Sequence, residues 1–248
     1  MWTPSALASE LHPARGKAWR AVEDQHASAT RRLTDTLAEQ EVLEEILEES
    51  KPPVPAACRR LHYLLQTPFR YDAPHPDGSR FRRRGDRRGV FYASMHMHTA
   101  LAELAFWRLL FFRVSAAAMM PRNAAVLTLF AVEYRTDQCL DLALPPLDTD
   151  RDLWVAPADY ADTQDLADMA REAGAEVLRY ESARDPERRR NVAILGCDVF
   201  AGRQPTSQQT WRLWLDPDGA DARRAVGDEP PLIFAREVFA RDPRLASP

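Results

Sequence analysis

A chain of 248 residues, 45% apolar and 28% charged, is long enough to bury a substantial core as one large domain or two small ones, and its composition excludes a disordered or fibrous protein. A formal net charge of -4 excludes a general attraction to nucleic acid or anionic membrane, so any basic site must be local. Of 33 basic residues only Lys17 and Lys51 are lysine, a chain-wide arginine bias that lowers the weight of any one arginine.

The N-terminal MWTPSALASELHPARGK has no basic region followed by an apolar run, so no signal peptide is readable there, and a cytoplasmic location is expected. The first fifty residues read as helical. No Gly or Pro occurs from Ala18 to Ser50, and Leu33, Leu37, Leu43, Ile46 and Leu47 form a rough apolar stripe against Asp35, Glu39, Glu41, Glu44, Glu45, Glu48 and Glu49. KPPVP at 51–55 ends this helix as a short stiff connector. From His62 onward, turns (DAPHPDG at 72–78, RRGDRRG at 83–89) separate shorter runs. Val90–Ser94 reads as a strand. Thr99–Arg113 reads as a helix apolar nearly all round, hence buried, yet Glu103, Arg108 and Arg113 in and around it argue against a membrane span. Ala125–Tyr134 has strand character. Asp159–Ala173 has helical spacing, with Asp162 or Thr163 as its cap and Gly174 past its end. A strand-like stretch precedes the polar turn 180–191; Asn191–Val199, Thr210–Leu215 and Leu232–Phe239 read as later strands. Helices and strands mix without strict alternation. The expected class is α+β, with a helical extension over residues 1–55 and one main domain over 56–248.

Cys58, Cys139 and Cys197 form an odd, widely spaced set without a CxxC pair, which argues against a disulfide framework or zinc cluster and suits a reducing compartment. His96 and His98 alternate as metal ligands on a strand face would, but nothing nearby supplies the remaining ligands, so no metal is expected. GxGxxG, GxxxxGK[ST] and HExxH are absent.

Glu103 is the most informative residue. It is the only carboxylate from Thr99 to Arg113, and a carboxylate on so apolar a helix must be ion-paired or aimed into a cleft. In GSRFRRRGDRRGVFY, residues 78–92, Gly78 and Ser79 permit close backbone approach to a ligand and Arg80 can fork onto a phosphate. The following arginines, Arg82 to Arg88, read as a solvated turn. The competing reading, a nucleic-acid module using Arg80, Arg82, Arg83, Arg84, Arg87 and Arg88, has no recognisable binding motif behind it. Ser182 in YESARDP lacks a GxSxG elbow and reads first as a turn-capping hydroxyl.

TPFRY, GSRF, GVFY, TALAELAFWR and Y-x-SARDP, in this order from about Leu61 to about Phe200, together resemble the RES domain, named for its Arg, Glu and Ser. The resemblance implies an ADP-ribosyltransferase-like mixed β core and an enzyme that consumes NAD, with no metal. It implies phosphorolysis with inorganic phosphate as co-substrate, hydrolysis, or transfer of ADP-ribose to a protein. Many members are toxins paired with an Xre-type helix-turn-helix antitoxin, and the resemblance is compatible with a homo-oligomer; it implies neither direct nucleic-acid nor membrane binding. Carried over by motif, the catalytic set is Glu103, Arg70 and Ser182, and the NAD-binding set is Tyr71, Arg80 and Tyr92. Glu181 stands before the serine where many members have proline. A non-catalytic RES protein binding a partner through the acidic helix at 35–49 is the further alternative.

Overall fold

The computed structural model of the chain describes residues 2–23, 34–70, 78–115 and 118–246. After a short helix α1 (Pro4–Ser9), residues His12–Glu23 form strand β1, which corrects the helical reading of the first fifty residues. Ala14 and Ala18 are buried while Arg15 and Lys17 face water, so the alternation is present but written in alanines, too small to register as a hydrophobic period. Gly16 lets the Tyr134 ring pack close: a Cβ there would stand 3.0 Å from its hydroxyl. Helix α2 (Leu37–Glu49) follows the expected pattern and starts at a capping box between Thr36 and Glu39. None of its residues is buried.

The remaining elements are α3 (Tyr63–Gln66), β2 (Phe91–Ser94), α4 (Met97–Val114), β3 (Ala125–Asp141), α5 (Arg151–Trp154), α6 (Ala161–Glu172), β4 (Val177–Glu181), β5 (Arg190–Ile194), β6 (Ser207–Asp216), β7 (Gly219–Arg224), β8 (Leu232–Ala235) and α7 (Pro243–Ala246). Helix α6 begins with Ala161 N–H donating to Asp159 Oδ1 at 3.0 Å, and not at Asp162 or Thr163; Gly174 just past its end has φ +86°, as a helix stop requires. The Leu232–Phe239 run is strand only to Ala235 and then a 3-10 turn, and the Asn191–Val199 run likewise ends as strand at Ile194.

The chain adopts the expected α+β class: a mixed sheet in the order β1-β2-β5-β4-β3-β6-β7-β8, with helices packed around it. β1 pairs with both β2 and β3, so the first five strands in that order form a closed circuit, and β6-β7-β8 run off it as an antiparallel meander. Among the described strands only β3–β4 is parallel. β3 is long enough to pair β6 with its first half and β4 with its last three residues, while β1 follows its other edge. Because β1 closes the circuit from Ala14 to Glu23 along β3, a chain truncated to residues 56–248 is expected to lose cooperative thermal unfolding, as read by circular dichroism. A sharp transition in that truncated chain would show β1 to be dispensable.

Helix α4 packs Ala102, Ala105, Phe106 and Leu109 against β3, β6 and β7. Its expected burial all round is corrected: Trp107 is 45%, Phe111 51% and Val114 64% exposed. Among the described residues no helix is long and apolar enough to cross a membrane. The absence of a disulfide framework is also corrected, since Cys58 and Cys197 are bonded across 139 residues, with Cα atoms 5.4 Å apart. The sheet brings two 3-10 turns together there, a juxtaposition that no local cysteine spacing encodes. Cys139 is buried and free, its thiol pushed up to about 12 by burial.

Candidate functional site

Four strands present one row of side chains to a single cleft. The register aligns Trp19 on β1 with Ser94 on β2, Ser94 with Asn191 on β5, and Asn191 with Tyr180 on β4, and all four line the cleft. Its wall is one face of α4, where Ala100, Glu103, Leu104 and Trp107 recur at helical spacing. Ser79, Arg80, Tyr92, Tyr160, Arg184 and Arg20 complete a space of about 290 Å³.

Glu103 stands at the junction of wall and floor. Its Oε1 accepts two hydrogen bonds, from Ser182 Oγ and from Asn191 Nδ2, each 2.6 Å long. Oε2 makes no hydrogen bond to any described residue. The ion pair offered as the ordinary explanation of this carboxylate is not what holds it; neutral donors do. Ser182 is 2% exposed and does both things expected of it. Its hydroxyl oxygen accepts from the N–H groups of Arg184 (3.1 Å) and Asp185 (3.0 Å), capping the SARDP turn, while its proton goes to Glu103. The turn is pinned to α4 a second time by Thr99 Oγ1, which donates to Asp185 Oδ2 at 2.5 Å one helical turn before Glu103. Burial works to raise the Asp185 pKa, but Thr99, the Glu187 N–H and Arg189 hold it below its ordinary value.

Arg80 lies at the cleft with 9% exposure, its guanidinium donating to the carbonyls of Trp154 (2.6 Å) and Ala156 (2.9 Å) and stacked 4.8 Å over the Tyr160 ring. Tyr92 offers its ring to the cleft while its hydroxyl is shared with Ser79 Oγ (2.8 Å) and accepts from the Phe81 N–H (3.0 Å), so it also fixes the loop that carries Arg80. Burial pushes the Tyr92 phenol up, and pushes that of Tyr180 well up with the Glu103 charge beside it.

Arg70 is placed elsewhere. It donates to Glu48 Oε1 at 2.6 Å and to the Pro52 carbonyl at 3.1 Å, tying down the base of α2, and it is not part of the cleft lining. Arg70 and then Lys51 hold the Glu48 carboxyl down to about 2. Tyr71 lies outside the described residues. The structure thus brings together Glu103, Ser182, Arg80 and Tyr92 and leaves Arg70 apart. His96 and His98 do not share a strand face, because α4 begins at Met97; His98 lies 3.1 Å from Arg189 and 3.9 Å from Asp185.

Several lining residues had weaker signals. Asn191 is the polar residue opening an apolar strand in RNVAI, and Arg184 lies inside the SARDP motif. Arg20 and Trp19 were hidden by the helical reading of β1. Arg20 Nη1 donates to the Tyr92 carbonyl at 2.7 Å and its guanidinium stacks 5.1 Å over Phe91. Arg184 is 3% exposed, 3.7 Å over the Phe106 ring and 3.0 Å from Asp242. Burial presses the Arg184 pKa down.

The arginine run after Arg80 is the exposed turn expected, with Arg83, Arg84, Arg87 and Arg88 open to solvent; Arg82 alone departs from that reading. Arg82 is buried, Arg83 pairs with Asp165 and with Asp168 (2.7 Å), and Arg88 pairs with Asp86 (2.7 Å) and Asp168 (2.8 Å). Asp165 and Asp168 on α6 thus offset part of the charge of Arg83 and Arg88.

The RES domain profile matches residues 54–216. Among solved structures, a chain of the crystal structure of the M. tuberculosis MbcT–MbcA toxin–antitoxin complex is similar at 10% identity and a TM-score of 0.45, over 82% of this chain and 91% of that one. A search of curated proteins returns no match.

Proposed function

Because this chain belongs to the RES domain family, we propose that it consumes NAD by breaking the nicotinamide–ribose bond, through phosphorolysis to nicotinamide and ADP-ribose 1''-phosphate, as the toxin of a toxin–antitoxin pair. One observation carries the reading: a carboxylate with one oxygen fixed by Ser182 and Asn191 and the other without a hydrogen bond to any described residue, at the edge of an aromatic cleft ringed by arginines. As the C1'–N bond breaks, its electron pair goes to nicotinamide, which leaves neutral, and positive charge develops on the ribose. Glu103 Oε2 is positioned to stabilise that charge or to hold a ribose hydroxyl. A neutral leaving group needs no strong general acid. The rings of Trp19, Tyr92 and Tyr180 exclude water and give flat surfaces for the nicotinamide. A space of about 290 Å³ lies at the lower end of small-molecule sites and suits the nucleoside end of the substrate, with the rest at the mouth.

Arg80, Arg20 and Arg184 supply the positive field for the diphosphate and for an incoming phosphate, whose oxygen forms the new bond to C1'. Arg20 lies on the lining where Arg70 does not. Arg70→Ala therefore separates two parts: turnover within a few-fold of wild type assigns Arg70 to holding α2, and a collapse of turnover in folded protein returns it to the catalytic set. An Xre-type helix-turn-helix antitoxin is the proposed partner.

The test is product analysis of NAD incubated with the purified chain, with and without inorganic phosphate. Phosphate-dependent nicotinamide release with a phosphorylated ADP-ribose is expected. Phosphate-independent ADP-ribose would make the enzyme a glycohydrolase, and label from the adenylate half on a protein would make it a transferase. Folded protein that releases no nicotinamide under any of these conditions would overturn the enzyme and leave a non-catalytic partner-binding protein.

A further inference from the structure

Glu103 is reached from behind by a hydrogen-bonded row that no motif of the chain announces. Ser94 Oγ donates to Asn191 Oδ1 at 2.6 Å, and Asn191 Nδ2 donates to Glu103 Oε1 at 2.6 Å. Ser94 and Asn191 are directly opposite each other on β2 and β5, and each is 2% exposed. The carboxylate settles which end of the amide faces it: it only accepts, so the NH2 group turns toward Glu103, and Oδ1 is left for the Ser94 hydroxyl, which holds the amide there. Buried polar side chains in a fully satisfied row hold one geometry, and a carboxylate carried on helix α4 is thereby fixed to the sheet.

We infer that Asn191, oriented by Ser94, is a positioning residue that locks the Glu103 carboxylate so that Oε2 faces the reacting ribose. Ser182 secures the same oxygen from the turn side, so Oε1 is held by two elements and Oε2 is kept for substrate. This inference rests on the proposed NAD cleavage for its kinetic consequence, while the hydrogen-bonded row itself does not.

Asn191→Ala is expected to lower kcat on the order of 10²-fold with little change in KM, since a misplaced group affects the transition state more than binding. Ser94→Ala lowers kcat less and in the same direction, and Ser94→Thr, which keeps the hydroxyl, restores it. Asn191→Asp preserves shape but sets a second carboxylate beside Glu103, and two carboxylates so close share a proton. Facing that pair are Tyr180, Tyr92, Arg80 and Arg184. Activity of Asn191→Asp is therefore expected to fall as pH rises through the upper apparent pKa of the pair, a limb that the wild type lacks. Asn191→Ala with kcat within twofold of wild type, or an Asn191→Asp pH profile that matches wild type, overturns the inference.

A second readout does not require turnover. In 15N-labelled protein the side-chain amide resonances of Asn191 are expected to move in both Glu103→Ala and Ser94→Ala. Resonances that stay in place overturn the row whether or not NAD is cleaved. A wild type that shows the coupled amide and releases no nicotinamide defeats the proposed function and leaves the positioning of Glu103 standing.

Discussion

Glu103→Ala is expected to reduce nicotinamide release from NAD by roughly 10²–10³-fold, the scale on which a single group that stabilises transition-state charge acts. The loss should fall on kcat, because the carboxylate meets charge that exists only as the glycosidic bond breaks. Glu103→Gln should be nearly as damaging: it preserves the shape and the acceptor for Ser182 and Asn191 but carries no charge. The fold should persist with a modest loss of stability, about 1–3 kcal/mol, since removal leaves the buried Ser182 and Asn191 donors to find other partners. Steady-state product formation beside a thermal melt checks both halves. Turnover by Glu103→Ala at the wild-type rate would take Glu103 out of the mechanism.

Asp242→Ala is expected to cost about 3–5 kcal/mol of stability, the range for removing one member of a buried ion pair. Asp242 is 0% and Arg184 3% exposed, and Asp242 also receives Arg244 Nε at 2.9 Å and Nη2 at 2.7 Å. Without that carboxylate the Arg184 guanidinium stays buried over Phe106 with its charge uncompensated. For a chain of this size the loss corresponds to a fall in Tm of roughly 10 °C or more, measurable by calorimetry or circular dichroism. Asp242 lies beyond the stretch that matches the family, 54–216, yet it holds an arginine that lines the cleft. Nicotinamide release should therefore fall as well, even below the melting temperature. A variant with unchanged Tm would show that Arg184 relaxes to other partners.

The same pair sets an acid limit on stability. Burial works to raise the Asp242 pKa, but Arg244 and Arg184 hold it below its ordinary 3.8; Asp185 is likewise depressed, against burial, by Thr99, the Glu187 N–H and Arg189. Groups with depressed folded-state pKa values contribute stability that is complete above the unfolded-state pKa and is lost as pH falls through the folded-state value. Tm is thus expected to be level from neutral pH down to about pH 5 and to drop below about pH 4. Asp242→Asn should flatten part of that drop, and an acid limb identical to wild type would remove Asp242 from it.

How much of this was readable in advance differs from residue to residue. Glu103 stood out because a carboxylate is conspicuous on an apolar helix. Ser182, Arg80 and Tyr92 were singled out because short motifs kept their order along the chain, and the fold draws them to one cleft. Asn191, Ser94 and Trp19 carry no such mark. They become neighbours only when strand register aligns positions far apart in the chain. Arg70 sat in a suggestive motif and is drawn instead to Glu48 and Pro52.

The sequence by itself determined the α+β class, the helices α2, α4 and α6, several strands and the family, because hydrophobic period, helix ends and short motifs are local and survive in one dimension. Only the tertiary structure decided that His12–Glu23 is a strand, that Cys58 meets Cys197, that Arg83 and Arg88 pair with acids of α6, and which donors fix Glu103. Those outcomes depend on partners tens to more than a hundred residues away. Alanines paired with β3 read the same as alanines in a helix until the opposite strand is present, and a buried carboxylate shows its purpose only once its neighbours are known.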